Sequence, residues 1–110
     1  MPLSDSFHDQ VYEIARLVPE GRVTTYGAIA KALGAAKSSR LVGTAMILAH
    51  DPRLHVPVHR VVNRNGLLTG KHHYATPTQM QELLEAEGIV VVGDQVQDFD
   101  TVFWNPMLDL

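Results

Sequence analysis

Two short apolar stripes at helical spacing, parted by one glycine-bearing turn, set the strongest limit on how this chain folds. Tyr26, Ile29, Ala30 and Leu33 recur at i, i+3, i+4 and i+7, and Gly34 stands where a helix ends. Ser38 or Ser39 then caps a segment in which Val42, Ala45, Met46 and Ala49 form a second stripe, stopped by Asp51-Pro52. The first of these helices is only about nine residues long, too short to persist without tertiary support. Two such helices joined by a tight turn make a helix-turn-helix candidate.

Support comes from both sides. Upstream, Ser4 or Ser6 caps a segment in which Phe7, Val11, Ile14, Ala15 and Val18 share a face, ended by Pro19-Glu20-Gly21. Arg22-Val23-Thr24-Thr25 follows as a short β-branched run. Downstream, Arg53 to Pro57 reads as extended loop, because a residue before proline is pushed away from α geometry. Val61-Val62 and Leu67-Leu68 flank Asn63-Arg64-Asn65-Gly66, whose Asn-Gly pair signals a tight turn between paired strands. Thr76-Pro77-Thr78-Gln79 has capping-box spacing, with proline at the first helical position, and opens a helix that runs to Glu87 and is closed by Gly88. Ile89 to Val92 and Gln95 to Gln97 form a hairpin across Gly93-Asp94.

The chain has 110 residues, 45% of them apolar, which suits one core. Its net charge of −3 hides an asymmetry. All nine Lys and Arg lie at or before Lys71 with five of the twelve acids, so residues 1–71 carry +4 and 72–110 carry −7. A basic face toward phosphate is compatible with this, whereas the total is far from that of a non-specific nucleic-acid binder. The absence of cysteine removes disulfides, thiolate nucleophiles and Cys-ligated metal sites, and fits a reducing cytoplasm. MPLSDSFHDQ lacks the basic start and apolar core of a signal peptide, and no run approaches the roughly 18 apolar residues of a membrane span. A cytoplasmic location is expected, nucleoid-associated if the source is bacterial.

Four segments in order carry more information than any periodicity. They are Val23-Thr24-Thr25-Tyr26-Gly27-Ala28-Ile29-Ala30, Ser39-Arg40-Leu41-Val42-Gly43-Thr44-Ala45-Met46, Pro57-Val58-His59-Arg60-Val61-Val62 and Leu84-Glu85-Ala86-Glu87-Gly88. Together they resemble the DNA-binding domain of the O6-alkylguanine-DNA alkyltransferases over residues 7–88, with a one-residue insertion near Ala49–Arg53. The family's alkyl acceptor is a cysteine between proline and histidine, and Val58 stands there in this chain. No counterpart of the enzymes' amino-terminal domain is seen. Both departures are similar to the alkyltransferase-like proteins of that family, and they agree with elementary chemistry: attack on an O-alkyl carbon needs a soft nucleophile, and none is present.

The resemblance implies roles for particular residues. Arg40 matches the arginine that fills the base stack behind a flipped nucleotide, although an exposed helix arginine also needs no special role. Tyr26 matches the tyrosine that presses on the 3′ phosphate of the target; by its stripe alone it is an ordinary core residue. Thr25, Lys37, Ser39 and Gly43 complete the expected DNA-binding set. Val58 becomes the floor of a lesion pocket that Tyr26, Met46, Pro57, His59 and Lys71 also line, Met46 being equally readable as plain core. His59 and Glu87, which activate the thiol in the enzymes, become a structural hydrogen-bond network. Glu87 adds its own support, since an acid in the last turn opposes the helix dipole unless a cationic or imidazole partner compensates.

Gly66-Leu67-Leu68-Thr69-Gly70-Lys71-His72-His73-Tyr74 occupies the place of the family's active-site loop, whose tyrosine and serine fall near Lys71 and His72, and the family's asparagine at the recognition-helix exit finds no match among Ala49, His50 and Asp51. On an extended segment, Val58 and Arg60 would point one way and His59 the other. The six histidines fit no HExxH spacing, so neither metal nor another cofactor is expected. Arg22, Lys31, Lys37, Arg40, Arg53, Arg60, Arg64 and Lys71 are candidates for a phosphate-facing surface.

The expected fold is thus mainly α with a small β element, a winged-helix-like helix-turn-helix domain spanning 1–110, with 89–110 as a C-terminal extension packed on it. Phe103-Trp104-Asn105-Pro106-Met107 is too apolar for a solvated tail. The implied function is binding of O6-alkylguanine in double-stranded DNA from the minor groove, with base flipping, no alkyl transfer, and handover to nucleotide excision repair proteins, by a monomer. Two rivals remain at this point. A sequence-specific helix-turn-helix transcription regulator would usually read two half-sites as a dimer, yet no dimerisation helix is evident. A glycosylase or hydrolase using Glu87 or an Asp with His59 would alter the damaged DNA.

Overall fold

The computed structural model describes residues 6–109. Helix α1 spans Phe7–Leu17, and its cap is Ser6, whose hydroxyl accepts from the Asp9 N–H at 3.4 Å; Ser4, the other candidate cap, lies outside the described residues. Its inward face carries Val11, Ile14 and Ala15, as the stripe predicts, together with Tyr12. The Tyr12 hydroxyl donates to the Ala45 carbonyl at 2.9 Å and ties α1 to the third helix.

Strand β1, Thr24–Thr25, runs into helix α2, Tyr26–Ala32, and helix α3 spans Ser39–Leu48. Thr25 caps α2 by accepting from the Ala28 N–H at 3.0 Å. Gly34, at φ +73°, takes the left-handed conformation expected just past α2, where a side chain would be strained. Ser38 holds the cap position of α3 without a side-chain hydrogen bond.

Strand β2, Val61–Val62, does not pair with Leu67-Leu68. It runs parallel to β1 in the register Thr24↔Val61 and Thr25↔Val62. The Asn63–Gly66 turn forms as its composition demands, with the Asn63 side chain accepting from the N–H groups of Asn65 and Leu67 at 2.9 and 2.8 Å. Leu67 instead bridges to Gln95. The turn chemistry was local and legible, whereas the choice of strand partner was decided by the core beyond it.

That core has two halves, and β2 sits between them. Because strand side chains alternate, Val61 enters a cluster with Val11, Ile29, Val42, Met46 and Trp104, while Val62 joins Val23, Leu68, Met80, Leu84 and Val96. The sequence 53–60, expected to be extended, instead forms 3₁₀ turns at Pro52–Leu54 and Val58–Arg60. Asp51 drives the first, its carboxylate accepting from the Arg53 N–H at 3.0 Å with proline next in line.

Helix α4, Gln79–Ala86, begins three residues after Thr76. The cap is Thr78 and not Thr76, it makes no side-chain cap bond, and Pro77 lies before the helix, so the expected capping box does not form; the Gln79 side chain instead accepts from the Ala75 N–H at 3.2 Å. The predicted hairpin follows as β3, Val91–Val92, and β4, Gln95–Val96, antiparallel with Val91↔Val96 and Val92↔Gln95. A last short helix, α5, spans Phe99–Val102. Beyond it, Val23 and Phe103 bridge in parallel, the Trp104 N–H donates to the Val23 carbonyl at 2.7 Å, and the Trp104 ring is 4% exposed within the first half of the core. The fold is therefore a mostly helical small domain with a small sheet.

Candidate nucleic-acid interface

Helices α2 and α3 carry the helix-turn-helix. Lys31 on α2, Lys37 in the turn, and Ser39 and Arg40 in the first turn of α3 are all exposed. Among the described residues, nothing pairs with Lys31, Lys37, Arg40 or the exposed Arg64. The other four candidate cations are occupied. Arg22 donates to the carbonyls of Val102 and Phe103 at 3.0 and 2.6 Å, and Arg53 forks onto Asp51 at 2.7–3.1 Å. Lys71 pairs with Asp94 at 2.5 Å. Arg60 is turned inward, as described below. The free cations are thus concentrated on the helix-turn-helix. Thr25, committed to capping α2, is buried, and it borders a shallow groove with Gly27, Ala28 and Lys31.

Behind Arg40 lies a cavity of about 290 Å³. Tyr26, Arg40, Gly43, Met46 and Val58 line it, so the structure brings together five residues singled out from the motifs. Tyr26 opens α2 and reaches across to Thr69 and Gly70. Burial pushes its hydroxyl pKa upward while a hydrogen bond with the Thr69 side chain opposes the shift, so Tyr26 stays protonated and able to donate at neutral pH. Gly70 makes room for it: a Cβ there would lie 3.3 Å from the Tyr26 oxygen.

Pro57, His59 and Lys71 are not among the residues lining this cavity. Pro57 borders an open groove with Arg16, His55, Val56 and Arg60. The loop 69–73 is a 3₁₀ helix with three residues per turn, which places Gly70 and His73 on one side and swings Lys71 to Asp94. The loop positions that meet the pocket are accordingly Thr69, Gly70 and His73, not Lys71 and His72. His50, just past the end of α3, also lines it.

The turn Val58–Arg60 replaces the expected alternation. Val58 meets the cavity, while His59 and Arg60 both reach Glu87, the cap residue at the end of α4. His59 Nε2 lies 2.5 Å from Glu87 Oε2, and Arg60 donates three hydrogen bonds of 3.0–3.1 Å to the same carboxylate. The Gly21 N–H adds another at 2.8 Å, and a further Arg60 nitrogen donates to the Val18 carbonyl at 2.9 Å. Burial alone would raise the Glu87 pKa, but hydrogen bonds from Arg60, His59 and Gly21 outweigh it and hold the carboxyl at about 2. With Glu87 ionised, His59 Nε2 must be the donor. The family resemblance implied the His59–Glu87 contact, and the cost of an acid at a helix C-terminus supported a partner for Glu87; Arg60, a candidate for the phosphate-facing surface, is instead the centre of the network.

A helix-turn-helix carrying free cations on both helices and the turn, backed by a cavity that Val58 helps to wall, defines a DNA-binding domain. Residues 6–89 match the family described as 6-O-methylguanine DNA methyltransferase, DNA binding domain, and the chain belongs to that family. Among its relatives, Alkyltransferase-like protein 1 of Schizosaccharomyces pombe is 34% identical over 106 residues, covering 93% of this chain and 97% of that one. The DNA base-flipping protein of Escherichia coli is 40% identical over 107 residues, covering 96% of this chain and 79% of its own length. The crystal structure of S. pombe Atl1 in complex with damaged DNA containing O6-carboxymethylguanine is similar with a TM-score of 0.79 at 33% identity, covering 94% and 98% of the two chains.

Proposed function

We propose that this protein binds O6-alkylguanine in duplex DNA, rotates the damaged nucleotide into the cavity behind Arg40, and leaves the alkyl group in place. One observation carries the reading. Val58 occupies the acceptor position on the cavity wall, flanked by the proline and histidine of the motif, in a chain with no cysteine. A valine offers no lone pair to an alkyl carbon, and the neighbouring His59 is already spent on Glu87. A pocket without its nucleophile can hold a base but cannot repair it.

The surface supports the binding half of the reading. Lys31, Lys37 and Arg40 are free to meet phosphates or the stack, and the first turn of α3, lacking a side-chain cap, offers N–H groups at the positive end of the helix dipole. Extruding a base costs a few kcal/mol and least for a poorly paired one. Lesion preference then follows without chemistry. Arg40 fills the gap in the stack, Tyr26 presses on the target phosphate with Thr25, Lys37, Ser39 and Gly43 beside it, and the docking is from the minor groove.

In this reading residues 1–110 act as one unit with 89–110 packed on it, working as a monomer in the cytoplasm, or at the nucleoid in a bacterium. The bound lesion is a flag for nucleotide excision repair proteins. The handover is tested by pull-down from alkylated cells: recovery of excision-repair proteins that depends on damage supports it, and their consistent absence sets it aside. Lesion binding itself is tested with paired duplexes that differ by one O6-methylguanine, where equal affinity would point to a sequence-reading regulator instead.

A further inference from the structure

Beyond Val58 lies a second cavity of about 390 Å³, which shares His50, Val58 and His73 with the first as common walls. The side chains of the two spaces differ in chemistry. The near one is bordered by Met46, Ile47 and Thr44 on α3, whereas the far one adds His55, His59, Tyr74 and Gln79. Four imidazoles therefore border one space, and the His50 ring, on the wall that the two cavities share, lies 4.5 Å edge-on to Tyr74 and 6.2 Å from His73.

We propose that the far cavity receives the outer end of the O6 substituent, and that His50, with His73 beside it, makes the protein favour adducts ending in a carboxylate over neutral ones. This rests on the reading above, in which the substituent of a flipped base points at Val58. A neutral imidazole N–H and the Tyr74 hydroxyl donate to a carboxylate, and an imidazolium attracts it directly.

The charges around His50 allow this. On its own segment, Asp51 is the acid that borders the far cavity, and its carboxylate is already gripped by Arg53. Of the other imidazoles that line the cavity, His59 is held to Glu87, whose charge Arg60 offsets, and His55 is the C-terminal cap of the preceding 3₁₀ turn. Toward the near cavity the groups are Arg40 and the protonated Tyr26. Burial, and then the neighbouring His73, push the His50 pKa down, so the free site disfavours the charge that a bound carboxylate would stabilise. Binding of a carboxylate adduct is therefore coupled to proton uptake, and the preference for it strengthens as pH falls.

The test compares three duplexes, unmodified, O6-methylguanine and O6-carboxymethylguanine, between pH 8 and pH 6, for the wild type, His73→Gln and the His50→Gln/His73→Gln double variant. Taking the ratio of the two adduct affinities cancels effects of pH on backbone contacts. The expected result is a carboxymethyl-to-methyl ratio that rises about three- to tenfold on acidification in the wild type and stays flat in the double variant. His73 is exposed, so His73→Gln keeps the fold and should show a weakened rise even if the double variant does not fold. A ratio that ignores pH in the wild type, or rises equally in the variants, overturns the inference while methyl-lesion binding stands. Equal affinity for all three duplexes would overturn the underlying reading, and the inference with it.

Discussion

Arg60 and Glu87 meet through three hydrogen bonds of 3.0–3.1 Å between the turn after Val58 and the end of α4. Their side chains are 17% and 8% exposed, so this is a largely buried pair. Arg60 also holds the Val18 carbonyl, and Glu87 the Gly21 N–H, so one ion pair joins the exit of α1, the wall of the cavity and α4. The contact fixes the backbone that presents Val58.

Removing one partner leaves the other charge buried and uncompensated. Glu87→Ala is expected to cost roughly 3 kcal/mol of stability, read from urea unfolding, with lesion preference per folded molecule changed much less. A variant as stable as the wild type but blind to the lesion would reverse this assignment.

The same carboxylate predicts an acid limb. Its pKa in the folded protein is about 2, below the ordinary 4.5, so its contribution is present above pH 4.5 and is lost as pH falls toward 2. Stability of the wild type should drop across that window, and Glu87→Gln, already destabilised, should lack this part of the slope. Parallel acid titrations of the two proteins by circular dichroism decide it.

Arg40 is exposed and has no partner among the described residues, so Arg40→Ala should leave stability within about 0.5 kcal/mol while weakening lesion binding about tenfold, by fluorescence anisotropy. Lys37→Ala should instead weaken damaged and undamaged duplexes alike and lower the salt slope of binding by about 1. A lesion-specific loss in Lys37→Ala would mean that the turn reads the base, not the backbone.

The helices of this fold were legible because their stripes are dictated by local geometry: Val11, Ile14 and Ala15 on α1, and Val42, Ala45 and Met46 on α3, face inward as read. The partner of Val61-Val62 was not. Asn-Gly announces a turn but says nothing of which strand the flanks meet, and Thr24–Thr25, far upstream, was the better match for a two-sided core. Site residues carried by a motif, Tyr26, Arg40 and Val58, converge on one cavity. His50 at the helix exit and Thr69 and His73 in the 66–74 loop could not be assigned to the pocket from sequence, because their places depend on where α3 ends and on the three-residue period of the 3₁₀ turn, which no apolar pattern encodes.

Gly70 and Tyr26 offer a steric test of the pocket. A Cβ at position 70 would stand 3.3 Å from the Tyr26 oxygen, so Gly70→Ala should displace that ring and weaken lesion binding. In a Tyr26→Phe background the added methyl meets no hydroxyl, and the further loss should largely vanish. Additive effects in this double-mutant cycle would separate the two residues functionally.

Trp104 tests whether the C-terminal segment is integral. Its ring lies in the same cluster as Val11 and Met46, and Trp104→Ala should cost about 3–5 kcal/mol. A stability close to wild type in chemical denaturation would show that residues 89–110 fold apart from the helices.

The central claim is that the pocket holds an alkylated base without acting on it. The most direct measurement is equilibrium binding to two duplexes identical except for one O6-methylguanine, followed by mass analysis of the recovered DNA and protein. The account predicts tighter binding to the modified duplex, with the methyl group still on the guanine and the protein mass unchanged. Equal affinity for the two duplexes, or a methyl group lost from the DNA, would contradict it.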